Sequence, residues 1–440
     1  MAASVFSSAL YGKLFPTGEV GRLWSDSAEV RAMLLVEGAL AKVQGAQGVI
    51  PELSAAFIHR SSLEVQIDPA GLADATGQNG VSVPALVAEF RKAMEAPEHA
   101  QYAHWGATSQ DIIDTALMLR LRQTLSTQQD AFGDLLRGMA LQAEMHAETP
   151  MVARTYGQHA TPTSWGAVLA QWGQPLTDAM QELPSLRDGS LWVSLSGAAG
   201  TASALGPKSN ETRAELADTL KLHDPGRSWH TDRGPVLRIA GWMARIVATL
   251  SAMGQTAVAL AATESQEIAL DAAGSSSTMP QKQNPVGPST LVALGHQMTG
   301  LRASLQAAAA HQHQRDGAAW FTEWMVMPQI ALCWAASINV AHALVKNWNP
   351  NTAAMASKFD GLGGVHAEAL SFALAQQMAR PDAQAATKAL IADAVASKQS
   401  LESVARIAHP DLPDSIFDPF TQLGTAPADA RAFANRVKTL

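Results

Sequence analysis

Apolar residues recur at three- and four-residue spacing along most of this chain, the repeat that turns one face of a helix toward a core. The pattern predicts helices over 28–47, 111–148, 164–182, 235–263, 290–312, 324–347 and 382–407. Period-two alternation is nearly absent. The run LWVSL at 191–195 could be extended, but it is too little for a sheet. The expected class is all-α. Three of the helices reach about 20 to 35 residues, or about 30 to 50 Å at 1.5 Å per residue, and carry little charge. One subunit of this size cannot bury so much apolar surface unless the helices bundle, and bundling across subunits is expected. The expected division is an N-terminal helical domain (1–107), a central helical bundle (108–350) and a C-terminal helical domain (351–440) that follows WNPNT.

Composition agrees with a core-forming protein: 440 residues, of which 47% are hydrophobic and 16% charged, lie far from the disordered regime. A single cysteine, Cys333, rules out an internal disulfide framework and a cysteine-rich zinc site, and fits a reducing cytoplasm. The opening MAASVFSSALYGKLFPTGEV lacks a basic start followed by a long apolar run, so no secretory signal is expected. The uncharged stretch IVATLSAMGQTAVALAAT (246–263) just reaches membrane-spanning length. Ser251, Gly254, Gln255 and Thr256 interrupt it, so a helix buried among other helices is expected and no membrane partner. A formal net charge of −8 without a basic patch argues against nucleic acid. It also means that an anionic substrate would have to be held by local donors.

Polar islands separate the helices. In HWGATSQDIID (104–114), Thr108 or Ser109 can cap the following helix and Asp111 suits its first turn. The same hydroxyls and free backbone N–H groups can equally hold a carboxylate. In RTYGQHATPTSWG (154–166), His159 precedes a long helix and is suited to proton exchange near neutral pH. SLSGAAGTASALG (194–206) permits close backbone approach of a helix or a ligand. GSSSTMPQKQNPVGPS (274–289) has the composition of either a linker or a catalytic lid. In HQHQRDGAAWFTEW (311–324), His311 and His313 are two residues apart and cannot share a helix face, and no third ligand has a zinc-like spacing. No metal site is expected. Arg315, whose guanidinium matches a carboxylate at two points, is the stronger candidate there.

In this order the islands resemble the fumarase/aspartase superfamily over most of the chain. Its signature loop is matched by Ser276, Ser277, Thr278, Met279, Pro280, Lys282, Asn284 and Pro285. HWGATSQD (104–111) is similar to its H-x-G-x-T-S-Q-D element, and QHATP (158–162) to its Q-H-A-T-P element. The segments LWSDSAEVRAMLLVEGALAKVQGAQGVIP, HWGATSQDIIDT and RDGAAWFTEW resemble its cycloisomerase branch, the lactonizing enzymes of 3-carboxy-cis,cis-muconate. Lyases of the superfamily usually carry a glutamate five residues after the signature asparagine. Here that position is Ser289, as expected of a cycloisomerase. Three loop positions depart from the branch, Ser275 for glycine, Gln281 for histidine and Gln283 for arginine. Losing cations beside an anionic substrate weakens binding or shifts substrate preference, while the catalytic part of the signature is intact.

The resemblance implies a three-domain homotetramer whose central helices form a twenty-helix core, with each site built from three subunits. It implies intramolecular addition of a carboxylate to an alkene in a small tricarboxylate, without cofactor or metal. Ser276 and His159 are the implied proton-transfer residues, and which of them moves the proton stays open. His104, Thr108, Ser109, Gln110, Lys282, Asn284 and Arg315 are the implied substrate contacts. The alternatives are a superfamily lyase releasing fumarate, such as adenylosuccinate lyase, and a non-catalytic, crystallin-like structural protein on this fold.

Overall fold

The computed structural model describes residues 4–271, 274–275, 278–279, 282–359 and 361–440. Its long helices follow the apolar spacing: Asp26–Ala46, Ser109–Met145, Trp165–Asp188, Gly234–Leu260, Val286–Ala307 and Gly317–Asn347. Their ends have local causes. Ser25 starts the first by accepting Ala28 N–H at 3.3 Å. The Ser109–Met145 helix ends in a turn, where His146 Nδ1 lies 3.0 Å from Thr149 Oγ1 before Pro150. The stretch expected as one helix over 382–407 is two, Arg380–Ser397 and Leu401–Ala408. Lys398 turns left-handed at φ +57°, and Ser400 caps the second helix by accepting Ser403 N–H at 3.1 Å. Apolar spacing crosses the break because Leu390, Ala394, Leu401 and Ala405 all face one cluster.

Every sheet among the described residues has two strands. The first is a hairpin, Pro150–Thr155 with Gln158–Ser164, in which Arg154 lies opposite His159. Tyr156 and Gly157 both have positive φ (+52° and +74°), the geometry that a two-residue turn needs to follow strand twist. His159 therefore sits on a strand beside a hairpin turn. Ile268–Leu270 pairs with Trp348–Pro350, and Gly274–Ser275 with Gln283–Asn284. The 191–195 run forms no strand, only a single bridge between Trp192 and His223.

The chain divides into two compact units, Met1–Ala131 with Gln181–Ala248 and Ala293–Asn339, and Phe132–Met180 with Thr249–Val292 and Val340–Leu440. In the first, Trp229, Trp242, Trp320 and Trp334 are fully buried, and the rings of Trp242 and Trp334 lie 5.4 Å apart. In the second, Trp348 lies 5.5 Å from Trp165 and 6.4 Å from Trp172, ring to ring. Phe433 covers Gly173 so closely that a β-carbon there would come within 2.1 Å of its ring. Burying one such large side chain contributes about 1.5–3 kcal/mol. Gly234–Leu260 and Gly317–Asn347 are long and apolar enough to cross a membrane, yet 56% and 72% of their most apolar windows are buried within the folded chain.

Cys333 lies in this packing with no exposure, its thiol 3.3 Å from the Leu294 carbonyl. Burial pushes the thiol up to about 12. In the native protein Cys333 should resist a maleimide at mildly alkaline pH and react stoichiometrically once urea unfolds the chain. Rapid native labelling, read by mass spectrometry, would contradict this packing.

Candidate active site

The first unit gathers its chemistry where the Ser109–Met145 helix begins. Asp111 N–H donates to the Thr108 carbonyl at 3.0 Å, and Asp111 Oδ2 accepts Thr108 N–H at 3.1 Å. The bond from Thr108 N–H to the Asp111 carboxylate is one half of a capping box. Thr108 thus holds the N-cap position, directly before the first helical residue, and its Oγ1 meets Arg315 Nη2 at 3.2 Å. Asp111 is completely buried and collects further donors: Ser196 N–H at 2.8 Å, Gly197 N–H at 2.9 Å, Ser194 Oγ at 3.2 Å and His230 Nε2 at 2.8 Å. The small residues of the third island thus let the backbone close over a carboxylate of the protein itself.

One helical turn further, Asp114 is held by Arg233 through two bonds of 2.8 and 3.1 Å. Arg233 also grips Glu323 at 2.9 and 2.5 Å, and all three side chains are buried. Trp320 Nε1 adds a bond to Asp114 at 3.3 Å. Burial pushes the Glu323 carboxyl above its ordinary value; Arg233 pulls it back, and the charge of Asp114 adds to the rise. Burial also disfavours the Arg233 cation, but its two carboxylates outweigh that and hold it above its ordinary value.

Arg315 has different company. Its partners are Gln110 Oε1 at 2.9 Å, Thr108 Oγ1 at 3.2 Å and the Ala198 carbonyl at 3.2 Å. All are neutral, and no carboxylate pairs with it among the described residues. Gln110 is itself fixed, donating through Nε2 to the His230 carbonyl at 2.8 Å and to Asp114 at 3.2 Å. Thr108, Gln110 and Arg315 are therefore brought together, with Ser109 as the first helical residue beside them. His104 precedes this group and bonds the buried Glu37, Nδ1 to Oε1, at 2.6 Å.

The second unit carries the other candidates. His159 is exposed on its strand, and the facing Arg154 pairs with the buried Glu267. Lys282 is exposed, its N–H donating to the Met279 carbonyl at 3.0 Å. Asn284 pairs with Gly274, where a β-carbon would come within 2.7 Å of Val286. Backbone pairing thus joins the two ends of the signature loop, which a plain linker would not need. Ser276 and Gln281 lie outside the described residues. Asp114, Glu323, Arg233, His230 and Glu37 escaped the motif reading. For Glu37 the available signal was an acid set alone within apolar helical pattern, LLVEGAL, whereas His230 and Arg233 lie in the polar stretch RSWHTDRGP before a helix and carried no such mark.

A family model described as lyase matches residues 18–300. The chain belongs to this lyase family, within the fumarase/aspartase superfamily. The 3-carboxy-cis,cis-muconate cycloisomerase of Pseudomonas putida is 33% identical over 404 residues, spanning 90% of this chain and 96% of that protein. The enzyme of the same name from Bradyrhizobium diazoefficiens is 33% identical over 440 residues, spanning 96% of each. The crystal structure of the 3-carboxy-cis,cis-muconate lactonizing enzyme from Pseudomonas putida matches with a TM-score of 0.92 at 31% identity, covering 98% of this chain and 99% of that one.

Replacing Arg233 with methionine would leave Asp114 and Glu323 buried without their cation. The expected cost is about 3–5 kcal/mol of unfolding free energy, the usual effect of removing one partner from a buried ion pair. A urea titration reads it, and a loss under about 1 kcal/mol would show the cluster to be energetically idle.

Proposed function

We propose that this chain is a 3-carboxy-cis,cis-muconate cycloisomerase, closing 4-carboxymuconolactone in the protocatechuate branch of aromatic degradation. One observation carries the reading to the site: the chain neutralises Arg233 with two carboxylates of its own but leaves Arg315 with neutral acceptors only. Arg315 thus has a positive charge to offer an anionic substrate, in a protein whose net charge of −8 attracts none at long range. The relatives named above support the choice of substrate.

In the reaction, a carboxylate oxygen of the substrate forms a C–O bond to its own alkene. The π pair moves to the neighbouring carbon and into the carboxylate attached there, giving an enediolate, and a proton then bonds to that carbon. The nucleophile belongs to the substrate, so this reading calls for no metal or cofactor. Holding the attacking carboxylate against the alkene supplies much of the acceleration. His104, Thr108, Ser109 and Arg315 bind carboxylates with Lys282 and Asn284, and these donors stabilise the enediolate. Gln110, whose Nε2 hydrogens are both taken within the fold, orients Arg315. Ser276 and His159 exchange the proton. A serine hydroxyl does so only where backbone N–H groups, Lys282 and the exclusion of water stabilise its alkoxide.

The reading includes a homotetramer with each site assembled from three chains, the three-domain division at 107 and 350, and work in the cytoplasm. Long, charge-poor helices support the assembly, and a single buried thiol is compatible with the compartment. Sedimentation should give the mass of four chains; a fully active monomer would refute the shared site.

The purified protein should bleach the muconate absorbance and release no fumarate from adenylosuccinate or argininosuccinate. Fumarate release without lactonization would overturn the reading in favour of a lyase. Arg315→Ala should raise KM about tenfold to a hundredfold, as loss of a charged hydrogen bond worth about 1.5–3 kcal/mol does. Ser276→Ala should fold normally and lose turnover by orders of magnitude, and near-normal turnover would remove Ser276 from the mechanism.

A further inference from the structure

Glu37 has no part in the chemistry above, yet its position is costly. It lies on the buried face of the Asp26–Ala46 helix among Met33, Leu34, Val36 and Leu40, with 1% exposure. Oε1 lies 2.6 Å from His104 Nδ1, and Oε2 has no hydrogen-bond partner. His104 is held in the left-handed region at φ +64°, its side chain 20% exposed. A buried carboxylate with one oxygen unpaired and a non-glycine residue at positive φ each cost free energy. An apolar side chain at 37 and a glycine at 104 would avoid both costs. Strain and buried charge kept at one contact point to a task beyond packing.

We propose that Glu37 is a positioning residue that fixes His104 through Nδ1, so that Nε2 is presented as a hydrogen-bond donor to a carboxylate of the substrate. Nε2 has no protein partner among the described residues, as the role requires. The adjacent backbone is pinned as well, since Gln44 Nε2 donates to the Trp105 carbonyl at 2.8 Å. Three charged groups act on the imidazole: Glu37, Asp111 from the Ser109–Met145 helix, and Arg91 from the helix Val83–Ala93. Burial works against the imidazolium, but the charge and hydrogen bond of Glu37, with the charge of Asp111, outweigh burial and Arg91. His104 thus titrates above the ordinary imidazole value. Its positive charge is present below that raised value and is lost as pH rises through it, so substrate binding weakens on the alkaline side. The inference rests on the cycloisomerase reading for the identity of the anion, and not for the existence of the pair.

The test uses Glu37→Gln and His104→Asn in the full-length enzyme. Asparagine tolerates left-handed backbone and cannot titrate. Rates with 3-carboxy-cis,cis-muconate are measured against pH, with calorimetric binding of tricarballylate, an unreactive tricarboxylate, and NMR titration of the His104 ring. In Glu37→Gln the ring titration and the alkaline limb of kcat/KM should both move together to lower pH. At pH well above both titrations KM should rise by the factor the shift sets, about tenfold per pH unit, while kcat changes less. In His104→Asn the limb should vanish. An unchanged titration and limb in Glu37→Gln, or a limb that survives in His104→Asn, overturns the proposal, and the second variant decides alone if the first does not fold. Absent turnover with tricarballylate binding that still follows the His104 titration would refute the substrate reading and uphold the pair. Binding of both probes that ignores the titration would refute the pair.

Discussion

A buried carboxylate sets the geometry of the first unit. Asp111 is out of water, a state that costs several kcal/mol for an ion without compensation. The compensation comes from donors scattered along the chain: Thr108 beside it, Ser194, Ser196 and Gly197 in one turn, and His230 on another segment. None of these can withdraw without exposing the charge to an unfavourable medium. The helix start, the small-residue turn and His230 therefore hold one another in register. The Ala198 carbonyl that accepts from Arg315 belongs to the same turn, so the placement of that guanidinium follows from Asp111 too.

Two arginines near this carboxylate serve opposite purposes. Arg233 is spent within the fold, between Asp114 and Glu323, where its charge balances acids that could not be buried alone. Arg315 is oriented by amide, hydroxyl and carbonyl oxygens, which fix direction without cancelling charge. A protein of net charge −8 can in this way present a cationic spot without a cationic surface.

The helices were legible because each is long enough for its apolar spacing to repeat, and boundary errors stayed within a few residues where a proline or serine cap marked the end. The Pro150–Ser164 region was not legible as a hairpin. Its second strand opens with the exposed residues Gln158 and His159, and an edge of this kind shows no alternation to read. Thr108, Gln110 and Arg315, which the fold brings together, were named as candidates because their motifs are local and recognisable. The ion cluster was not, because Arg233 is separated by 119 residues from Asp114 and by 90 from Glu323. A sequence marks which charges sit amid apolar pattern; only the folded chain shows which of them meet. The role of Glu37 was missed for the same reason.

The discontinuous make-up of the two units bears on how the chain is made. Each unit draws on three separated segments, the first reaching from Met1 to Asn339 and the second from Phe132 to Leu440. Contacts of such long sequence separation form late and slowly. During synthesis, then, apolar helices such as Gly234–Leu260 leave the ribosome before the segments that will cover them exist. For this fold, the most hazardous interval for aggregation is the one before those covering segments emerge, when chaperone occupancy has the most to protect.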